Sequence, residues 1–387
     1  MDVQQLLYTE QGGWQAIVQG APADVIERPQ DAQLVMYFAA PEMLERHAIY
    51  KELAHRYPYA HVIGASTSAQ LSAHQQYTGA VSAVAIRFKD TQLRLVRADI
   101  AEAKQSYDTG KFMGRQLAAD DLNSVLLVAD SLVPDAAALA ATLSQEVGPK
   151  VHVWGLTSSA GLGVLHTQAG ADENPGQGKM AAIGFYGKAL SIRSASVHGC
   201  APYGAEHMVT KAEGRELQEL DGRPALETYR KYLKGDAYND EEQRLRFPLF
   251  VRQKEHQNYG VLRTVVAVNE GKQSLTLGGS VQAGRVLQLM YAAPGEVALA
   301  KENKELNATT LQLARTKGDR LAVLISTSAR NAAFGVDNAE EAQLFFSVLL
   351  PETVLAGGSG GGVFIPEEKS QYSRFDEFSA LLVTLQE

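Results

Sequence analysis

The 387-residue sequence holds one cysteine, Cys200, so no internal disulfide can form and no cysteine-based zinc site can assemble. That usage suits a reducing compartment. Basic residues are outnumbered, 36 Lys and Arg against 44 Asp and Glu, for a net charge of −8. With no local Lys/Arg cluster either, nucleic acid and anionic membrane surfaces are excluded as partners. No stretch approaches the ~18 consecutive apolar residues of a membrane span. The N-terminal MDVQQLLYTEQGG lacks the basic flank and apolar core of a signal peptide. A cytoplasmic protein is expected.

Several chemical signatures are missing too. There is no G-x-x-x-x-G-K-[ST], and Gly161-Leu162-Gly163 lacks the third glycine of a dinucleotide fingerprint. None of the nine histidines stands at a chelating spacing on a helix, which speaks against a multi-ligand metal site.

What the chain does have is a 45% apolar composition, enough for a substantial core, and a length that favours two or three domains. It also has a repeated phrase. HVIGASTSA at 61 to 69 is echoed by HVWGLTSSA at 152 to 160 and by VLAGGSGGG at 354 to 362. Each phrase closes a longer unit. In the first, QLVMYF reads as a buried strand, Pro41-Glu42 starts a helix, and HVIGAS is a second strand. The second copy runs SVLLVA, Pro134-Asp135, DAAALAATLSQEV and KVHVWGLTSS; the third runs RLAVLIS, AEEAQLFFSVLL and ETVLAGGSGGG. An upstream helix is expected in each copy, around 13–19, 105–120 and 297–316. Downstream, the strand pair at 79–100 matches the pair at 179–197.

A strand–helix–strand connection this short favours parallel, right-handed pairing, which places the Gly/Ser loops at strand carboxyl ends. The fold class expected is α/β, becoming α+β in the C-terminal part, with repeated helix–strand–helix–strand–Gly/Ser-loop units and mixed sheets. Residues 201–246 break the rhythm as a polar stretch with a helix from Pro224 to Leu233. Antiparallel strands follow in FPLFVR, YGVLRTVVAV, SLTLGG and GRVLQLMY. The boundary falls near 235–245, giving domains 1–240 and 241–387.

The loops admit two readings. Backbone N–H groups and hydroxyls at Ser66, Thr67, Ser68, Thr157, Ser158 and Ser159 could bind a small polar or anionic ligand, or could only cap tight turns. Gly357-Gly358-Ser359-Gly360-Gly361 matches the G-x-S-x-G nucleophile elbow, but an extended VFIPEE follows it and no histidine lies beyond His256. A serine hydrolase using Ser359 therefore needs an unusual chain order. His61 and His152 open corresponding strands and read as structural. His198 and Cys200, in the unrepeated turn SVHGCAPYG, could supply one axial ligand to haem iron, or only shape the turn. Arg244, Arg246 and Arg252 could face a carboxylate ligand or line a solvated strand edge.

These segments, in this order, resemble a FIST protein. The likeness runs from QLVMYFA and VIGASTSAQL through VWGLTSSAG, APYGAEHMVT and ELDGRPALETYRKYL in the N-terminal part. It continues through FPLFVR, GVLRTVVAV, GGSVQAGRVLQLM, SARNAAFG and EFSALLVTL in the C-terminal part. The family often has a cysteine before the arginine turn where this chain has Ser326-Thr327-Ser328-Ala329-Arg330, and a Gly-Glu pair where it has Gly362-Val363. The resemblance implies a non-catalytic, ligand-binding sensor. Its ligand would lie between the two halves, either haem responding to nitric oxide, with His198 the first axial candidate, or an amino-acid-like molecule held by the Ser/Thr loops, Ser359 and Arg252 or Arg330. It implies output in trans to a partner such as a histidine kinase, and leaves a homodimer open.

Overall fold

The computed structural model describes residues 1–17, 26, 28–72, 75–100, 105–161, 166–233, 235–254, 260–293, 321–335, 343–345, 347, 349, 353–366 and 373–387. It has the expected α/β character with mixed sheets.

Three six-stranded sheets share one plan. Each has a parallel pair at its centre: Leu34–Ala39 with His61–Ser66, Leu122–Ala129 with His152–Thr157, and Leu321–Thr327 with Val354–Gly360. These are the pairs that the repeated phrase marks. Against the first strand of each pair lies an antiparallel strand: Ala80–Arg87, Lys179–Tyr186 and Ala380–Gln386 respectively.

The outer strands come from other units. The strand after each Gly/Ser loop leaves its own sheet. Gln70–Ser72 of the first unit joins Val354–Gly360 of the third, Ala169–Ala171 of the second joins His61–Ser66 of the first, and Gly362–Ile365 of the third joins His152–Thr157 of the second. On the far edge the exchange runs the other way. Gln92–Asp99 adds to the second unit's sheet and Ser191–Val197 to the third, while Asp2–Thr9 takes that place in the first. The three units thus form a closed ring with pseudo-threefold symmetry.

Alternation along the central strands explains the packing. Met36, Phe38, Leu126, Val128, Val323 and Ile325 point into one core at the middle of the ring, together with Trp154. Their neighbours Val35, Tyr37, Val125, Leu127, Ala322 and Leu324 face outward onto separate clusters. Strands buried on both faces read as unbroken apolar runs rather than as alternation. The helix Ala136–Val147 covers the second sheet beside Gln105–Leu117, and Asp135 caps it by accepting from the N–H of Ala138.

A further mixed-length antiparallel sheet is built from 201–220 and 249–291, with the helix Ala225–Tyr232 packed on it. The C-terminal strands Leu321–Thr327, Val354–Gly360 and Ala380–Gln386 return to the ring.

Two expectations require correction. The helix expected at 13–19 is, over the described residues, the strand Gly13–Ile17, hairpinned onto Asp2–Thr9. Gly13 turns at φ 60°, and Trp14, Gln15 and Ala16 then pair with Tyr8, Leu7 and Leu6. The polar stretch after 200 begins with the 13-residue strand Ala201–Glu213. The helix expected at 297–316 lies outside the described residues, as does most of that expected over AEEAQLFFSVLL.

Candidate functional site

The three Gly/Ser loops meet at one end of the ring. Ser68 donates its N–H to Ser359 O, Ser159 to Ser66 O, and Gly361 to Thr157 O. These are equivalent positions of the three copies, so the hydrogen bonds run once around the pseudo-threefold axis. The glycine repeated in each phrase has a steric cause. A Cβ on Gly64, Gly155 or Gly357 would lie 2.3, 1.9 and 1.8 Å from the carbonyl oxygens of Tyr37, Leu127 and Leu324 in the partner strand.

Most of the loop hydroxyls serve the protein itself. Ser66 Oγ accepts from Gln168 N–H, Thr67 Oγ1 accepts from Gln70, and Ser158 Oγ donates to the buried Asp130, which also accepts from Thr167 and Gly178 N–H. Ser68 and Ser159 both meet Ser328 Oγ, at 3.2 and 2.5 Å. Thr157 is buried. Ser158, Ser159 and Ser328 border a cavity of about 190 Å³ roofed by Leu245 and Thr264–Val266. It is smaller than most ligand sites, but a cavity of about 150 Å³ already admits a molecule the size of benzene.

A larger cavity, of about 700 Å³, opens between the helix Ala136–Val147 and the antiparallel sheet. One wall is Ala137, Ala138, Ala141 and Thr142 of the helix; the other carries Arg252, Arg263 and Arg285, with Arg374 at the floor. Small-molecule sites commonly fall between about 300 and 1,000 Å³. Ser280 Oγ donates to Asp135 Oδ1 at 3.2 Å, bridging the two walls at the helix cap. Arg252 is ion-paired with Glu206 at 2.6 Å and also reaches Gln288.

Family comparison assigns the two walls. A FIST N domain model matches residues 33–223 and a FIST C domain model residues 225–366. The chain belongs to the FIST family. FIST domains are sensory modules that bind small ligands in signalling, and the large cavity lies where the N-domain helix faces the C-domain sheet. No curated protein matches the chain. Among solved structures, a crystal structure of chorismatase at 1.08 Å resolution matches over 100% of both chains, at 9% identity and a TM-score of 0.32. That likeness is too slight to bear on fold or function.

The remaining FIST site residues fall apart in space. Arg330 is 1% exposed, donates from Nη1 to Ser326 Oγ and lies over the Phe334 ring; it borders neither cavity. Ser359 Oγ accepts from Asn331 Nδ2 at 2.8 Å, and no described histidine bonds it, so the described residues hold no hydrolase triad. Arg244 is buried and clasps the carbonyls of Tyr238, Asn239, Val265 and Val266.

His198 Nδ1 accepts the N–H of Cys200 at 3.1 Å. A neutral ring accepting at Nδ1 carries its proton on Nε2, the atom an axial iron bond would need. Cys200 is fully buried among Leu245, Leu262, Met290, Phe334 and Phe378, with Sγ turned to His198 O. The turn borders neither cavity.

Sequence reasoning picked out Arg252 but passed over Arg263, Arg285, Asp135 and Ser280. A single arginine in or beside a strand has no local signature, because its surroundings are set by strands far away in the chain.

Proposed function

We propose that this FIST chain is a small-molecule sensor whose ligand occupies the cavity of about 700 Å³ and whose occupancy is read in trans by a partner signalling protein, such as a histidine kinase. The observation that carries this reading is the composition of the walls. Residues 137–142 come from the FIST N part and residues 251–285 from the FIST C part, joined by the Ser280–Asp135 hydrogen bond. A ligand touching both walls binds differently to any state in which they move apart, and that difference is what shifts a population.

Thermal unfolding of the purified chain against a metabolite panel tests the reading. A ligand at ~100 Kd adds about 2.7 kcal/mol of stability, a plain rise in Tm. Ala141→Trp fills the cavity from the half-buried face of the helix that lines it and is expected to abolish that rise while leaving the unliganded Tm close to wild type. A rise that persists in Ala141→Trp places the ligand elsewhere. Kinase activity measured with and without the ligand-loaded chain then tests signalling.

Haem and nitric oxide, implied by the family resemblance, are tested by an absorption spectrum of the chain with added haemin. Because His198 Nδ1 is occupied as an acceptor, no Soret band that depends on His198 is expected. A band lost in His198→Ala would reverse this.

A further inference from the structure

The large cavity carries a chemical bias. Among the described residues, four arginines line it, Arg252, Arg263, Arg285 and Arg374, against one carboxylate, Asp135. Asp135 uses Oδ1 to accept from Ala138 N–H and from Ser280 Oγ. Arg252 is paired with Glu206, and Arg374 donates to the carbonyl of Gly260.

Arg263 and Arg285 differ from those two. Arg263 is 3% exposed; it gives Nε to Ser280 O and Nη1 to the carbonyls of Leu262 and Phe375, and no described residue takes Nη2. Arg285 donates to a neutral amide oxygen, that of Gln282. Neither forms an ion pair with a described carboxylate. The acid that acts on Arg263, Glu377, is itself pushed up to about 7 by burial, so it neutralises the guanidinium only in part at neutral pH. A buried cation without a full counter-charge bears a desolvation cost that an incoming anion relieves. The planar guanidinium also suits carboxylate and phosphate oxygens.

We infer that the cavity selects a small organic anion, a carboxylate or phosphate monoester, held by Arg263 and Arg285, and that it discriminates against α-amino acids of the same length. The discrimination follows from the charge of the described lining: four guanidinium groups stand against one carboxylate, so an added α-ammonium meets net positive charge. Ala138, Ala141, Val261 and Val281 would cover a short hydrocarbon part. The inference rests on the ligand site proposed above.

Calorimetric titration at physiological salt tests it, using succinate, glutarate and 2-phosphoglycolate against aspartate, glutamate and succinamide. At least one of the three anions is expected to bind tenfold or more tightly than the amino acids and the diamide. In Arg285→Gln, at a half-buried position bonded to the Gln282 side chain alone among the described side chains, that affinity should fall at least tenfold with the unliganded Tm unchanged. In Ala141→Trp it should vanish. Anion affinity unchanged in Arg285→Gln, equal binding of aspartate or succinamide, or no binding by any of the three anions overturns the inference. The two readings fail separately. Neutral-ligand binding that Ala141→Trp abolishes removes the anion class but leaves the site, whereas binding untouched by Ala141→Trp removes the site.

Discussion

At Gly155 and Gly357 the backbone sits at φ 144° and 154°, a region L side chains rarely adopt, and a Cβ there would strike the carbonyl of Leu127 or Leu324. Gly155→Ala or Gly357→Ala should therefore destabilise by about 3 kcal/mol or more, read as a lower midpoint in denaturant unfolding. A hydroxyl of the same phrase should matter less. Ser66→Ala removes one buried hydrogen bond, to Gln168 N–H, and is expected to cost about 1–2 kcal/mol. The glycine and the hydroxyls were both visible in the sequence, but their purpose was not. Repetition of the phrase marked a shared structural device, and the reason for the glycine, a backbone 1.9 Å from an added Cβ, belongs to the neighbouring strand. Arg263 and Arg285 show the opposite limit: nothing beside them in the chain separates a cavity-lining guanidinium from one on a solvated edge.

Elements with a local stop and start were legible. Pro41 opens the helix Pro41–Arg46, Asp135 caps Ala136–Val147, and the apolar runs between them became the central strands. The hairpin strand Gly13–Ile17 and the long strand Ala201–Glu213 were not, because both are largely solvent-facing and gain their pairing from Asp2–Thr9 and Val286–Tyr291 rather than from an apolar pattern. Helix contact gives a test at this scale. Gly110 on Gln105–Leu117 has room for no side chain, since a Cβ would lie 2.1 Å from Thr142 Oγ1 and 2.5 Å from Leu139 O of the facing helix. Ala is the better helix former by about 1 kcal/mol, yet Gly110→Ala should lower stability, because the two helices must separate to admit it. A rise in Tm for that variant would show that the helices give way freely. Asp135→Ala should cost about 1 kcal/mol through the lost cap, and it also breaks the bridge to Ser280.

The cyclic exchange of strands among three units was beyond local reading, since a repeat shows that units resemble one another but not whose sheet a strand will join. The same non-local assembly gives the molecule its pH response. Glu377, in the C-terminal segment, is buried against the antiparallel sheet, where Thr264 N–H and the charge of Arg263 reach it and a Cβ on Gly278 would collide with it. Burial outweighs those contacts and raises its pKa from 4.5 to about 7. The folded chain then holds a proton that the unfolded chain releases near 4.5, so stability falls as pH rises from about 4.5 to 7 and is flat above that. The full drop is on the order of 3 kcal/mol. Other carboxylates act in the opposite sense and at lower pH. Burial pushes Asp172 up, but His61 and the N–H of Val62 more than offset it and hold its pKa below the usual value, so its contribution is lost only on acidification below that range. Asp221 behaves alike beside His207 and Met208 N–H. The two limbs are therefore separable by mutation. Glu377→Gln should flatten the profile between pH 4.5 and 7 in denaturant unfolding while leaving the acid limb in place. A profile in Glu377→Gln that still declines across that window would assign the decline to another group.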